Sequence, residues 1–287
     1  MRSGRPVEKL IELSLQEDIA SGDVTTRLVV NPDQKARAFI YSKEYCVLAG
    51  IDIAGQAFKA LDKKIRFKPL FRDGQHLQKG SRIARIEGKA SSILTGERTA
   101  LNFLQHLSGV ATLTNQFVQA VAGTKVKIYD TRKTTPGWRE LEKCAVRMGG
   151  GHNHRRGLYD QILIKDNHIK VAGSLARALN RARLKNAKRL LIEVEISNSK
   201  ELSQALQGGT DWVMLDNFSI DKLRQALIVI RCFSQEYRKE VAVEVSGNVS
   251  LENVRRIAKL GPDLISVGKI THSAPAVDFG LEIDTVW

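Results

Sequence analysis

The 287-residue sequence is poor in cysteine and in aromatic residues, and it has no long apolar run. Cys46, Cys144 and Cys232 are far apart and in no Cys-x-x-Cys spacing, which argues against a disulfide framework or a structural zinc site. No stretch reaches the roughly 18 to 20 consecutive apolar residues of a membrane helix, and charged residues stand where a signal peptide would be apolar. These absences predict a cytoplasmic protein without a membrane partner.

Acidic residues are outnumbered, with 31 Asp and Glu against 45 Lys and Arg, a formal charge of +14. Nine basic and only three acidic residues fall between Lys125 and Arg156. Such a field gathers anionic ligands. A nucleic-acid-binding surface is the less favoured explanation of this charge, because aromatic residues make up only 6% of the chain. Gly, Thr and apolar runs also interrupt the series of basic residues.

The first 122 residues carry mixed patterns that predict an α+β domain. Residues 7–20 have apolar positions at helical spacing, residues 36–50 read as strands and residues 51–64 as a helix. Short strands separated by glycine turns follow over residues 65–89. The segment 91–122 has few helix breakers and predicts one or two long helices.

Beyond residue 124, six apolar runs each end at a polar residue or a glycine. The runs are VKIYD, QILIKD, LLIEVE, DWVMLD, VAVEVSG and LISVG. Predicted helices at 173–184, 198–207, 219–235 and 250–259 separate the last five runs, which is the rhythm of βα units. Both an α/β barrel and an open doubly wound sheet bind ligands at the carboxyl ends of their strands, so periodicity leaves both open.

Basic residues follow these runs or lie in the connection that contains three consecutive glycines. Arg132, Lys133, Arg155 and Lys165 are the residues concerned. Guanidinium groups bind carboxylates and phosphates through two parallel hydrogen bonds, whereas lysine supplies a compact charge. The sequence therefore predicts a pocket for a polyanion, and a solvated surface cluster is the simpler alternative.

Glu195 and Asp216 are the acidic counterparts at two further strand ends. Carboxylates there can hold a divalent ion through water, accept hydrogen bonds from sugar hydroxyls, or stabilise a developing positive charge. Structural salt bridges with nearby bases are the alternative. His152 and His154 have no third ligand at zinc-like spacing, so we expect His154 to donate a hydrogen bond to an anion.

Four motifs can be recognised, of which DTRKTTPG and LIKDNH are highly specific in combination. They are Glu97–Asn102 (ERTALN), Asp130–Gly137 (DTRKTTPG), Asn153–Arg155 with Gly157–Asp160, and Leu163–His168 (LIKDNH). With these motifs the chain resembles the quinolinate phosphoribosyltransferases. The similarity extends from Glu17–Asp18 and Gly22–Thr26 through Met214–Asn217 to Thr271–Ala276, and so covers nearly the whole chain.

The resemblance implies an incomplete TIM-like α/β barrel with an N-terminal α/β (α+β) domain that the C-terminal tail completes. The expected domains are residues 1–111 plus 271–287, which cap the substrate, and residues 112–270, which form the phosphoribosyltransferase barrel. It also implies a homodimer or a higher oligomer in which Arg98 reaches the partner's site.

The implied reaction transfers the phosphoribosyl group of phosphoribosyl pyrophosphate to quinolinate. Decarboxylation then gives nicotinate mononucleotide, pyrophosphate and carbon dioxide in de novo NAD biosynthesis, with Mg²⁺ as cofactor. The implied substrate-binding residues are Arg98, Thr131, Arg132, Lys133, His154, Arg155, Lys165, Glu195, Asp216, Ser246, Gly247, Asn248, Ser266 and Gly268.

Specific roles follow from the same resemblance. Arg132, His154 and Arg155 hold the quinolinate carboxylates, and the turns at 246–248 and 266–268 bind the 5′-phosphate. The implied catalytic residues are Lys133, Lys165, Glu195 and Asp216, the last two of which also hold the metal directly or through water.

One position departs from the family pattern, which usually reads Ser-Gly-Gly where this chain has Ser246-Gly247-Asn248. Asparagine tolerates left-handed backbone geometry and keeps its N–H donor, so we expect the phosphate turn to survive. Two other functions remain open: a related pyrophosphorylase-like protein of molybdenum transport operons, and a basic nucleic-acid-binding protein whose affinity would fall steeply with salt.

Overall fold

The computed structural model describes residues 5–287, which form two compact units. The first unit runs to Asn115 and also contains Thr134–Gly150 and Lys269–Trp287, while the second contains Gln116–Lys133 and Gly151–Gly268. Residues 1–4 of the expected first domain lie outside the described residues. The segment that begins at Thr134, directly after the DTRK sequence, is thus grouped with the first unit, although the chain on both sides of it belongs to the second.

The first unit combines an antiparallel sheet with helices. Its elements are α1 (Arg5–Ile19), α2 (Val24–Val29), β1 (Lys35–Ser42), β2 (Cys46–Val47), α3 (Ile51–Leu61), β3 (Arg66–Pro69), β4 (His76–Leu77), β5 (Arg82–Lys89), α4 (Ala90–Ala120, which ends in the second unit), α5 (Arg139–Met148), α11 (Lys269–His272) and β12 (Phe279–Val286). Four strands form one sheet in the order β12-β1-β5-β3.

The C-terminal tail completes this sheet, as the resemblance implied. β12 pairs antiparallel with β1 from Ala36 opposite Val286 to Ser42 opposite Phe279. Alternate residues of β1 are buried, which is the expected pattern for a strand with one face on the core. The preceding tail segment passes close to α4, because a Cβ on Gly109 would lie 2.1 Å from the carbonyl oxygen of Pro275.

The second unit is built from βα repeats. Its elements are β6 (Lys127–Tyr129), β7 (Ile162–Ile164), α6 (Asp166–Ala172), α7 (Leu175–Lys185), β8 (Ile192–Ile196), α8 (Ser199–Gln207), β9 (Trp212–Asp216), α9 (Ile220–Tyr237), β10 (Ala242–Ser246), α10 (Val254–Ala258) and β11 (Leu264–Ser266). Side chains of Ser174, Asn198 and Ser219 cap α7, α8 and α9, and so fix where the chain turns from each loop into a helix.

Six parallel strands form one sheet in the order β6-β11-β10-β9-β8-β7. Among the described residues β6 and β7 do not pair, and a single parallel bridge between Tyr129 and His152 lies beside β6 instead. The barrel is therefore incomplete and six-stranded, which confirms the predicted fold class. None of the helices in the described ranges has both the length and the apolar character that crossing a membrane requires.

Candidate functional site

The carboxyl ends of the parallel strands bring five of the predicted residues to one edge of the second unit. Lys165 follows β7, Glu195 is the penultimate residue of β8, Asp216 ends β9, Ser246 ends β10, and Gly268 lies two residues past β11. Asp216 is directly opposite Ser246 in the sheet register. In parallel α/β folds this edge is where ligands bind.

Lys165 and Glu195 form an ion pair at this edge. The Lys165 Nζ lies 2.6 Å from Glu195 Oε2, and the side chains are 42% and 16% exposed. The backbone N–H of Lys165 donates to His168 Nδ1 at 3.0 Å, which anchors the start of α6. The ammonium group is therefore held in place while it stays accessible to a ligand.

Asp130 joins the DTRKT and NHR motifs. Its carboxylate is fully buried and accepts hydrogen bonds from Asn153 Nδ2 at 2.6 Å and from the His154 backbone N–H at 2.8 Å. These contacts fix the segment that carries Arg155 relative to the end of β6, whose next residues include Arg132. The sequence analysis placed Asp130 at a strand end but did not identify this role.

A buried cluster of one histidine and two carboxylates lies beneath this edge. His154 Nε2 donates to Glu244 Oε2 at 3.1 Å and to Glu193 Oε2 at 3.2 Å. Gln161 Nε2 donates to the same Glu193 oxygen at 2.9 Å. The ligand-type atoms of His154, Glu193 and Glu244 lie within 4.8 Å of one another, so the structure supplies the acidic neighbours that sequence spacing around His154 did not reveal.

Burial and mutual interaction change the proton affinity of this cluster. Burial lowers the pKa of His154, but hydrogen bonds to Glu193 and Glu244 and their charges outweigh it and raise that pKa to about 10. Burial raises the pKa of Glu193 to about 7, and the charge of Glu244 adds to this effect. Both shifts have the same sign, so the folded cluster retains protons that the unfolded chain releases at neutral pH.

The raised pKa of Glu193 predicts a pH-dependent stability. A carboxyl group with a folded pKa of about 7 and an ordinary value of 4.5 stabilises the fold fully below about pH 4.5, and this contribution is lost as the pH rises through 7. The difference in unfolding free energy between wild type and Glu193→Gln should change by up to about 3 kcal/mol across this range, in favour of the variant at higher pH. Urea titrations at several pH values measure this difference, and a constant difference would contradict the prediction.

Arg132 and Arg155 are half-buried and close enough to repel each other. Burial lowers the pKa of Arg155, the charge of Arg132 lowers it further, and Glu193 opposes both effects. A ligand with two carboxylates would relieve this repulsion and match both guanidinium groups. The structure thus brings these two predicted residues together.

His154 lies deeper than the sequence analysis expected. Its ring is buried, Nε2 faces the two carboxylates, and Nδ1 lies 2.8 Å from the backbone nitrogen of Arg155, whose N–H it accepts only while the ring is neutral. Both ring nitrogens therefore have protein partners. To donate a hydrogen bond directly to an anion, the His154 ring would have to give up one of these protein partners.

The expected phosphate turn has the required backbone. Gly247 has φ of +87° and Asn248 has φ of +50°, both left-handed. A Cβ on Gly247 would lie 2.2 Å from Asn217 Oδ1, so only glycine fits there. Nearby on β11, the Ser266 hydroxyl is buried and has no hydrogen-bond partner among the described residues, as expected of a group reserved for a ligand.

Three further predicted residues are Thr131 and Lys133, which follow β6 of the same parallel sheet, and Arg98, which belongs to the first unit. Thr131 Oγ1 accepts the backbone N–H of Lys133 at 3.0 Å in the loop after β6, where Lys133 is exposed. Arg98 is exposed on α4 of the first unit.

Sequence reasoning missed Glu193, Glu244 and Asn217. The period of two along a strand could have found the first two, because Glu193 and Glu244 precede Glu195 and Ser246 by two residues and share their face of the sheet. Asn217 belongs to the Met214–Asn217 match, but no local signal marks its role, because two of its contacts are with residues 29 and 31 positions away.

The chain is similar to proteins of known classification along almost its whole length. Residues 110–282 match the family described as quinolinate phosphoribosyl transferase, C-terminal domain, and residues 23–108 match its N-terminal domain. A Bacillus subtilis protein named probable nicotinate-nucleotide pyrophosphorylase (carboxylating) is 39% identical over 277 residues, covering 96% of this chain and 93% of the relative.

Two further proteins agree with this match. The nicotinate-nucleotide pyrophosphorylase (carboxylating) of Mycobacterium leprae is 39% identical and covers 95% of both chains. The solved structure of the nicotinate-nucleotide pyrophosphorylase from Francisella tularensis is 43% identical, with a TM-score of 0.92 over 99% of this chain and 98% of that one.

Proposed function

Because the chain belongs to the quinolinate phosphoribosyltransferase family, we propose that it transfers the phosphoribosyl group of phosphoribosyl pyrophosphate to quinolinate. The product quinolinate nucleotide then loses carbon dioxide to give nicotinate mononucleotide in NAD biosynthesis. The relatives are named for this reaction, so it is preferred to the molybdenum-associated and nucleic-acid alternatives. The structural observation that carries the proposal is the pair of mutually repelling guanidinium groups of Arg132 and Arg155, in the same unit whose strand ends carry the Lys165–Glu195 ion pair.

Arg132 and Arg155 explain how the acceptor, quinolinate, would be bound. Quinolinate has two adjacent carboxylates, and Arg132 and Arg155 supply two forks for them. Two opposite unit charges about 4 Å apart gain on the order of 4 kcal/mol at an effective dielectric constant near 20, so several cations are needed to bring two polyanions together. Lys133 and Lys165 contribute charge shared by quinolinate and the phosphoribosyl group.

Glu195 and Asp216 explain how the ribose would be stabilised while it is transferred. When the anomeric carbon–oxygen bond breaks, its electron pair leaves with pyrophosphate and the ribose gains oxocarbenium character. Glu195 and Asp216 stabilise that positive charge while the ring nitrogen supplies the electron pair of the new bond. Loss of carbon dioxide then leaves an electron pair on the ring carbon, which the adjacent pyridinium nitrogen stabilises before a proton is taken up.

The acidic residues present fit a magnesium ion. Mg²⁺ prefers hard oxygen ligands and retains several waters. Asn217 Nδ2 donates to Asp216 Oδ2 at 2.7 Å, and Lys165 holds Glu195 Oε2 at 2.6 Å, which suits Glu195 to contact through water. When bound, the ion would neutralise the leaving pyrophosphate.

The decisive assay compares two acceptors. We expect nicotinate mononucleotide from quinolinate, phosphoribosyl pyrophosphate and magnesium, and no product when nicotinate replaces quinolinate. Absence of product from either acceptor, by a folded protein, would overturn the proposal. Salt-dependent retention of nucleic acid in the same preparation would instead favour the alternative from another class.

We also propose a homodimer in which Arg98 completes the partner's site. Arg98→Ala and Lys165→Ala should each be nearly inactive, and equal mixing with subunit exchange should restore about a quarter of wild-type activity, because half of the dimers are mixed and each of these has one intact site. Activity measured after mixing tests this proposal. Continued inactivity despite demonstrated exchange would show that Arg98 does not act on its partner.

The remaining partners and the location are proposals as well. A higher oligomer built from such dimers would show the same restoration, and sedimentation measures its size. We propose a cytoplasmic location, which cell fractionation tests. The proposed small-molecule partners are quinolinate and phosphoribosyl pyrophosphate, and nucleic acid is not among them.

A further inference from the structure

Asn217 connects the ends of two neighbouring strands. Its Nδ2 donates to Asp216 Oδ2 at 2.7 Å, and its backbone N–H donates to the Ser246 carbonyl at 2.9 Å. Its Oδ1 accepts Asn248 Nδ2 at 3.0 Å. One side chain thus contacts both the candidate ribose-binding carboxylate and the candidate phosphate turn.

The backbone is arranged specifically for these contacts. Asn217 has φ of +56° and Asn248 has φ of +50°, in the left-handed region that asparagine tolerates better than most residues. The absence of a side chain on Gly247 leaves space for the Asn217 amide. Asn253 holds the far side of the turn, because its Nδ2 donates to the Asn248 carbonyl at 2.9 Å and its Oδ1 accepts the Ser250 N–H at 2.9 Å.

We infer that Asn217 and Asn248 are positioning residues that join Asp216 and the Ser246–Asn248 turn into one hydrogen-bonded unit. This inference rests on the proposed function. The unit would hold the ribose and the 5′-phosphate of one phosphoribosyl pyrophosphate molecule at a fixed separation, so that less freedom is lost on binding. The glycine usual in the family at position 248 has no side chain to donate, and Asn248 therefore supplies a contact that the Ser-Gly-Gly pattern lacks.

A double-mutant cycle tests the connection. Glycine keeps the left-handed backbone at both positions and removes only the side-chain contacts. Asn248→Gly should raise KM for phosphoribosyl pyrophosphate about threefold to tenfold, and Asn217→Gly about tenfold to a hundredfold, because the latter also frees a charged carboxylate. The double variant should match Asn217→Gly alone, since Asn248 acts through Asn217.

Two readouts separate this role from a general loss of structure. The dissociation constant for quinolinate and the melting temperature should stay near wild type in Asn248→Gly, whereas Asn217→Gly should also need more magnesium for half-maximal activity. Asn253→Ala is the matched control: it alters the same turn without touching Asn217, so its effect should multiply with that of Asn217→Gly.

Several results would overturn the inference. An unchanged KM in Asn248→Gly, or effects of Asn217→Gly and Asn248→Gly that multiply, would show that the two residues act independently. Equal weakening of quinolinate and phosphoribosyl pyrophosphate would show a merely structural role. An inactive wild-type protein would overturn the proposed function itself, and the wild-type assay therefore distinguishes the two failures.

Discussion

Lys165→Ala is expected to lower kcat/KM by about 10²- to 10³-fold, the usual cost of removing a charged group that stabilises charge in the transition state. The Lys165 ammonium lies 2.6 Å from Glu195 Oε2 at the carboxyl edge of the barrel. The substitution removes a positive charge that would attract the anionic substrates. It also removes the partner that fixes the position of Glu195. Steady-state kinetics with both substrates varied measure the effect.

Lys170→Ala is the matched control for this substitution. Lys170 is on α6, five residues after Lys165, and it also pairs with a carboxylate, that of Asp166, but its side chain is 73% exposed. Such a surface pair contributes little, so kinetics close to wild type are expected. Wild-type turnover in Lys165→Ala would remove Lys165 from the catalytic machinery.

Arg155→Ala is expected to raise KM for quinolinate by about 10²-fold or more, with a much smaller change in KM for phosphoribosyl pyrophosphate. Arg155 is half-buried and its guanidinium is repelled by that of Arg132, a repulsion that a bound dicarboxylate would relieve. Arg155→Lys should recover only part of the loss, because a lysine cannot bind a carboxylate through two parallel hydrogen bonds.

Arg156→Ala provides the control here, since Arg156 is the next residue and is exposed. It should leave KM for quinolinate within about twofold of wild type. Equal effects of Arg155→Ala on the two substrates would show that Arg155 supports the site as a whole and does not select the acceptor.

The regular elements of the second unit could be predicted because their signals are local. The expected helix over 198–207 is α8, Ser199–Gln207, with Asn198 as its cap, and the expected helix over 219–235 is α9, Ile220–Tyr237. Apolar periodicity and cap residues lie within one stretch of chain in both cases. The open barrel followed from the family resemblance, because periodicity alone did not distinguish it from a doubly wound sheet.

Helix α5 was not predicted, since its polar residues contradict the usual pattern of burial. Glu142 and Lys143 are both buried there. Glu142 accepts hydrogen bonds from His106 Nε2 at 2.8 Å and from the Thr135 backbone N–H at 3.0 Å. From the sequence alone, a charged residue is expected on the surface unless a partner for it can be identified. His106 is 36 residues from Glu142 in the sequence, so this pairing could not be identified from it.

In the candidate site, too, residues with a local sequence signal could be predicted and contacts between distant residues could not. Glu195 and Asp216 were identified because each ends an apolar run. The Glu193–His154–Glu244 cluster was missed, since His154 and Glu244 are 90 residues apart in sequence and meet only when the strands assemble. Motifs supplied the residues that we propose face a ligand, whereas the contacts beneath them depend on the fold.

Because β6 and β7 do not pair among the described residues, Asp130 holds the chain after β6 to the segment that precedes β7. Where a complete barrel would have a ladder of backbone hydrogen bonds, the described residues show one bridge, between Tyr129 and His152, followed by the contacts of Asp130 to Asn153 and His154. The same two short segments carry Arg132 and Arg155, the side chains proposed to bind the anion. Substitutions of Asp130 or Asn153 that weaken this part of the wall should therefore also disturb the placement of these two arginines.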